Sequence, residues 1–114
     1  MKRIGMKALA VAMALMLAAS SVLAQTRVSF KSGQNSTTVT GRLGANGVKS
    51  YVLRARQGQV LTATLSSDNG KVDFTQANVH DTQYSITVEN TGDVEVMVDN
   101  HGGPTRYTLT ISIQ

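Results

Sequence analysis

Residues 51–66 read YVLRARQGQVLTATLS, and this stretch decides the fold class of the chain. Apolar side chains occupy alternate positions on both sides of a central Gln57-Gly58 pair, a pattern typical of two strands joined by a tight turn. A helix would instead repeat its apolar residues every three or four positions. We therefore expect two adjacent strands whose inward side chains are Tyr51, Leu53 and Ala55, followed by Leu61, Ala63 and Leu65.

The same alternation recurs from residue 27 to residue 113, and no segment of that range has a helical repeat. Turn residues separate the runs about every 8–12 positions, which indicates a β-sandwich or a small barrel. Of the two, we predict an all-β fold, a small single-domain, eight-stranded antiparallel β-sandwich. Only the stretch from Gln76 to Asp81 is ambiguous. The predicted inward positions of the other strands are Val28 and Phe30; Val39, Gly41 and Leu43; Val72 and Phe74; Tyr84, Ile86 and Val88; Val94, Val96 and Val98; and Tyr107, Leu109, Ile111 and Ile113.

The first 24 residues have the composition of a cleaved export signal. Three basic residues lie within the first seven positions, residues 8–19 form an uncharged apolar run, and SSVLA at 20–24 supplies small residues for signal peptidase. The apolar run is too short for a membrane helix, which needs about 20 apolar residues. We predict a signal peptide at 1–24 and cleavage after Ala24. The mature β-sandwich domain, 25–114, is then periplasmic or secreted and has no membrane span.

Charge limits the classes of partner. Three of the eleven basic residues and none of the seven acidic ones lie in the predicted signal, so its removal lowers the formal net charge from +4 to +1. We therefore expect no nucleic-acid partner. The basic residues of the mature chain lie mainly before Ser67, and all of its acidic residues lie after it. Either neighbouring strands pair these charges on solvated faces, or the first half forms a basic face for an acidic partner.

The residues offer little for catalysis. The chain has no cysteine and only two histidines, His80 and His101, and no serine lies in a Gly-x-Ser-x-Gly turn. Acidic residues at positions 93, 95 and 99 alternate with valines, as the solvent face of a half-buried strand requires. We predict that the protein is not an enzyme and has no catalytic residues, no metal site and no cofactor.

The most polar hairpin connection is residues 99–106, DNHGGPTR. Loops on a rigid sandwich are where binding residues usually lie, so Asn100, His101 and Arg106 are the candidate binding residues. The alternative is an ordinary turn between two strongly β-forming strands.

Several segments together resemble a known family. They are residues 28–33 (VSFKSG), 41–43 (GRL), 51–61 (YVLRARQGQVL), 91–98 (TGDVEVMV) and 107–111 (YTLTI). Their order and spacing resemble the pre-peptidase C-terminal-type β-sandwich superfamily and, within it, the periplasmic inhibitors of goose-type lysozyme. Between Asn69 and Gln83 the chain is shorter than in those inhibitors, and between Asn100 and Thr105 it has no arginine, where their last hairpin is longer and rich in arginine.

The resemblance implies a protein that binds the active-site cleft of a lysozyme and blocks access of the substrate. Such a cleft carries a catalytic carboxylate, which polar and basic loop groups would bind through charge-assisted hydrogen bonds. The expected partner is thus a lysozyme or another envelope protein. Two alternatives remain open: a module that binds peptidoglycan or another glycan of the cell envelope, and a protein that acts on nucleic acid.

Overall fold

The structure is a computed structural model that describes residues 25–74 and 81–114. The predicted signal peptide and His80 lie outside the described residues. Within the described part of the chain all regular structure is β-strand, and no helix there has the length and apolarity needed to cross a membrane. The strands are β1 (Gln25–Arg27), β2 (Ser36–Leu43), β3 (Val48–Ala55), β4 (Val60–Ser67), β5 (Val72–Phe74), β6 (Gln83–Thr87), β7 (Gly92–Asn100) and β8 (Thr105–Ile113).

The strands form two four-stranded sheets that pack face to face. The first sheet has the order β1-β3-β7-β5 and the second sheet the order β2-β8-β4-β6. Neighbouring strands are antiparallel, apart from β1, which runs parallel to β3. This parallel pair is possible because β2, which lies between them in the chain, belongs to the other sheet and acts as the crossover. The predicted eight-stranded sandwich is confirmed, with this one parallel pair.

The core lies between the sheets and consists of the inward positions of the alternating strands. The side chains of Leu53, Leu61, Phe74, Leu109 and Ile111 are all 0% exposed. Burying a side chain of this size stabilises a fold by about 1.5–3 kcal/mol. Because the chain has no disulfide to add to the stabilisation from buried side chains, the two packed sheets depend on the apolar alternation for their stability.

Two aromatic contacts connect the sheets. The hydroxyl groups of Tyr51 on β3 and Tyr107 on β8 share a hydrogen bond, and burial raises the pKa of Tyr107 above its ordinary value. The rings of Phe74 on β5 and Tyr84 on β6 meet edge to face, with centroids 4.9 Å apart, and burial raises the pKa of Tyr84 to about 12. Gly41 leaves the space that the Tyr107 ring fills, since a Cβ there would lie 2.6 Å from the hydroxyl oxygen.

Two predicted details differ in the structure. The first strand ends at Arg27 rather than continuing to Phe30, although Val28 is buried as predicted and donates its N–H to the Val52 carbonyl at 2.9 Å. Ile86, predicted to face inward, is 37% exposed. The reason is that β6 is an edge strand, so the core covers only one side of its inward side chains.

Charged side chains line the outward face of the first sheet. Arg27 on β1 forms a two-bond pair with Asp93 on β7, at 2.7 and 3.2 Å, and this hydrogen bonding lowers the pKa of Asp93. Glu95, two positions further along β7, accepts hydrogen bonds from Ser50 at 2.7 Å and from Gln25 at 2.8 Å. A base of the first half of the mature chain thus pairs with an acid of the second half, but their strands are not neighbours, because β3 lies between β1 and β7.

Candidate functional site

Three connections meet at one end of the sandwich. They are residues 44–47 between β2 and β3, residues 68–71 between β4 and β5, and residues 101–104 between β7 and β8. We call this region the loop end. Its tight turns need backbone conformations that few residues adopt, and Asn46 (φ 59°) and Gly70 (φ 67°) supply them. The loop end contains the polar turn that the sequence singled out.

Asn100 lies at the centre of the loop end and joins its three connections. Its side-chain amide donates to the carbonyls of Gly44 and Gly103, both at 2.9 Å. Its side-chain oxygen accepts from the Gly102 N–H at 3.0 Å and from the Asn69 amide at 3.2 Å. The residue is only 1% exposed, so this network satisfies a buried amide that would otherwise be costly.

Asn69 extends this network. Its amide also donates to the Gly103 carbonyl at 3.1 Å, and its own oxygen accepts from the Lys71 N–H at 2.9 Å. Gly102 packs closely on the same loop, because a Cβ at that position would lie 2.9 Å from Lys71 Cδ and 3.0 Å from Asn69 Nδ2. The 68–71 and 101–104 connections are therefore held against each other by both hydrogen bonds and close packing.

His101 lies on the outward side of the first sheet. Its Nε2 is 2.9 Å from an oxygen of Asp73 on β5 and 3.9 Å from an oxygen of Asp99 on β7. The two aspartates are direct cross-strand partners, so protonated His101 would offset the repulsion between like charges. The hydrogen bond with Asp73 raises the pKa of His101 above its ordinary value, with a smaller contribution from the charge of each carboxylate. His101 is therefore a cation over a wider range of pH than a free histidine.

Arg106 lies on the outward side of the second sheet and faces Arg42 directly across the β2–β8 pair. Both side chains are exposed. Among the residues that the structure describes, neither guanidinium has a hydrogen-bond or ion-pair partner. Together with Asp68 and several hydroxyl groups they line an open groove of about 440 Å³. Within the described ranges the guanidinium groups of Arg42 and Arg106 are therefore hydrogen-bond donors with no acceptor.

The structure brings the three candidate binding residues to one end but gives them different surroundings. His101 and Arg106 are exposed on opposite flanks of the loop end, and Asn100 is buried between them. Asn100 has almost no surface for a direct contact and instead holds the loops in place. The alternation of β7 already signalled this, because position 100 follows 94, 96 and 98 on the inward side. Sequence reasoning missed Arg42 and Asn69, whose roles depend on pairing between distant strands.

Metal binding has no support in the described part of the chain. No group of three or more His, Cys, Asp or Glu side chains is placed there so that it could hold a metal ion.

Comparison with known proteins gives a likeness of fold. No family model matches the chain, and no curated protein sequence matches it either. Among solved structures it is similar to Aeromonas hydrophila PliG, a periplasmic inhibitor of g-type lysozyme, with a TM-score of 0.65 and 18% identity over 81% of this chain and 97% of that one. It is also similar to Salmonella Typhimurium PliG, with a TM-score of 0.62 and 20% identity over 82% of this chain and 100% of that one.

A mutant of the Escherichia coli PliG protein gives a TM-score of 0.59 and 17% identity, over 82% of this chain and 100% of that one. All three are described as periplasmic lysozyme inhibitors, and none is described as an enzyme. The resemblance suggested by the sequence is thus confirmed in three dimensions. The chain has the fold of the PliG inhibitors of g-type lysozyme over nearly the whole length of those proteins.

Proposed function

We propose that this protein is an exported, non-catalytic inhibitor that binds the active-site cleft of a goose-type lysozyme. The observation that carries the proposal is the extent of the fold likeness, which spans 97% to 100% of the PliG chains. The predicted signal peptide supports an inhibitor that works in the periplasm, where the PliG proteins work.

The loop end is the part that we propose enters the cleft. It consists of three short connections, and the network of buried Asn100 and half-buried Asn69 holds those connections together. A preorganised loop loses little conformational entropy on binding, which favours affinity. The flanks of the loop end carry His101 on one side and Arg106 on the other, so an inserted loop end would present a donor to each wall of a cleft.

The charges of these two residues suit an acidic cleft. Arg106 has no hydrogen-bond or ion-pair partner among the described residues, so its guanidinium is available to a carboxylate of a lysozyme. Charge-assisted hydrogen bonds of this kind are roughly twice as strong as neutral ones. The hydrogen bond with Asp73 raises the pKa of His101, which favours its charged form, and the same bond orients its ring. Asn100 contributes by position and not by contact.

The test is direct binding between the purified protein and goose-type, chicken-type and invertebrate-type lysozymes, measured by calorimetry with no glycan present. We expect binding to the goose-type enzyme and loss of its activity at micromolar protein. The His101→Ala/Arg106→Ala double variant should bind at least tenfold more weakly, since each hydrogen bond to a charged group contributes about 1.5–3 kcal/mol.

Arg56→Ala is the matched control, because Arg56 is an exposed arginine in the β3–β4 turn at the opposite end of the sandwich. It should bind like the unmodified protein. Full affinity in the double variant would refute the assignment of the site. Failure to bind any goose-type lysozyme at micromolar concentration would refute the function.

A further inference from the structure

The groove beside Arg106 belongs to a larger surface, the outward face of the second sheet. Most side chains that line the groove carry polar or charged groups, among them Thr40, Arg42, Ser66, Asp68, Arg106 and Thr108. They come from β2, β4 and β8 and from the start of the β4–β5 connection, so three adjacent strands of the sheet build the groove. It is a feature of the rigid scaffold and not of a single loop.

The arginine pair indicates a negatively charged occupant. Like charges directly opposite each other on neighbouring strands destabilise a sheet, and Arg42 and Arg106 are such a pair. No anionic side chain of the described residues lies within ion-pair distance of either one. A carboxylate between the two guanidinium groups would remove the repulsion and accept two or more charge-assisted hydrogen bonds.

The remaining groups of the groove indicate that this anion is attached to a ligand rich in hydroxyl groups. Asp68 is a pure acceptor that cannot donate to an anion, but it can accept hydrogen bonds from hydroxyl groups of a ligand. Thr40, Ser66 and Thr108 can each donate and accept. Hydrogen-bond donors, acceptors and groups that act as both therefore lie in one open groove. This suits a saccharide, because its hydroxyl groups both donate and accept hydrogen bonds.

The same chemistry continues along the sheet beyond the groove. The cross-strand register places Thr38, Thr110 and Thr64 in one row and Ser36, Ser112, Thr62 and Ser85 in the next. We call these the hydroxyl rows. Neighbouring strands lie about 4.7–4.9 Å apart, so each row presents hydroxyl groups at regular intervals. Two hydrogen bonds within the rows, Thr38 to Thr110 at 3.2 Å and Thr62 to Ser85 at 2.9 Å, hold the side chains in place.

A protein partner suits this face poorly. The centres of protein–protein interfaces are enriched in aromatic and apolar anchors. The outward positions of β2, β4 and β8 are serine, threonine and arginine, apart from Val60, which is 41% exposed at the far end of β4. The face also lacks an aromatic ring on which a sugar could stack, so a single saccharide would bind weakly and a polymer would bind through many repeated contacts.

We propose that the groove and the hydroxyl rows form a second binding surface, for a polysaccharide that carries carboxylate groups. Arg42 and Arg106 bind a carboxylate, and the hydroxyl rows bind the sugar hydroxyl groups that follow along the polymer. The surface includes Arg106 from the proposed lysozyme contact. Arg42 and the hydroxyl rows lie outside that contact, so the two proposals are tested separately.

The test is co-sedimentation of the purified protein with insoluble peptidoglycan, a glycan whose attached peptides carry carboxylates, and with chitin, which is an uncharged glycan. We expect binding to peptidoglycan that weakens as salt is added and much weaker binding to chitin. Arg42→Gln should weaken binding to peptidoglycan about tenfold, because it removes a charge-assisted hydrogen bond. Thr110→Val keeps the shape of the side chain and should weaken binding by about threefold, since it removes one neutral hydrogen bond.

Arg54→Gln is the matched control, since Arg54 is an exposed arginine on the first sheet, and it should bind peptidoglycan like the unmodified protein. Far-UV circular dichroism verifies that each variant folds. Undiminished binding by Arg42→Gln, or no sedimentation of the unmodified protein with peptidoglycan, overturns the proposal. Equal binding to chitin and peptidoglycan overturns the role of the carboxylate. Lysozyme binding measured without glycan is unaffected by any of these outcomes.

Discussion

Replacing Asn100 with alanine tests whether one buried amide holds the loop end together. The substitution removes all four of its side-chain hydrogen bonds, to Gly44, Gly103, Gly102 and Asn69. It also opens a small cavity at a position that is only 1% exposed. It thereby weakens the links among all three connections at once.

The expected loss of stability depends on which hydrogen bonds the partners of Asn100 keep. A neutral hydrogen bond contributes about 0.5–1.5 kcal/mol net, and a buried group left without a partner costs about 1–3 kcal/mol. The Gly44 carbonyl still accepts from the Gly47 N–H at 3.0 Å, and the Gly103 carbonyl still accepts from Asn69. Each of the two carbonyls keeps one hydrogen-bond donor. We therefore expect Asn100→Ala to lower the free energy of unfolding by about 2–3 kcal/mol, at the lower end of what the loss of four hydrogen bonds would cost. In a domain of this size that corresponds to a fall in Tm of about 10–20 °C.

The assay is urea unfolding followed by far-UV circular dichroism, which suits a chain without tryptophan. Asn90→Ala, an exposed asparagine at the other end of the sandwich, is the control and should change stability by less than about 0.5 kcal/mol. Asn100→Asp keeps the acceptor oxygens, but burial opposes its charge and raises its pKa in the folded state. The loss of stability caused by Asn100→Asp should therefore grow as the pH rises from 4 to 8. A change below about 0.5 kcal/mol for Asn100→Ala would refute the reasoning.

Three further predictions follow from other contacts. Gly41→Ala should destabilise the fold by about 1–3 kcal/mol in urea unfolding, because the added Cβ would overlap the Tyr107 ring; unchanged stability would contradict that packing. The raised pKa of His101 means that its bond to Asp73 stabilises the fold most below about pH 6.5 and is lost as the pH rises through the folded-state value. The Tm difference between the unmodified protein and His101→Gln should therefore be larger at pH 5.5 than at pH 8.5, and an equal difference would argue against the bond. Mass spectrometry of the exported protein should find Gln25 at its N-terminus; an intact leader would contradict cleavage after Ala24.

Most of the fold could be predicted because strand periodicity is a local property. Tyr51, Leu53 and Ala55 are buried as the alternation required, and so are Leu61, Ala63 and Leu65. The exposure of Ile86 could not be predicted in the same way. The apolar alternation of β6 is the same as that of a central strand. Only the order of the strands in the sheet makes β6 an edge strand.

The turn that holds the candidate binding residues was predictable from the sequence, but the surroundings of each residue were not. The polar composition of residues 99–106 correctly drew attention to a turn at the loop end. It did not separate Asn100, which is buried and structural, from His101, which is exposed. The partners that make this difference, Gly44 and Asn69, lie 56 and 31 positions away in the chain. Contacts at such separations depend on which strands become neighbours.

The sequence by itself determined the alternation that builds two sheets, the apolar core between them and the absence of cysteine from that core. These follow from the period of two along each strand and need no knowledge of pairing. Only the tertiary structure decided that Arg42 faces Arg106, that His101 meets Asp73, and that serines and threonines of four strands align in rows. The physical reason is that the register between distant strands is set by the packing of the whole sandwich, and a shift of one residue would turn every one of these side chains to the other face.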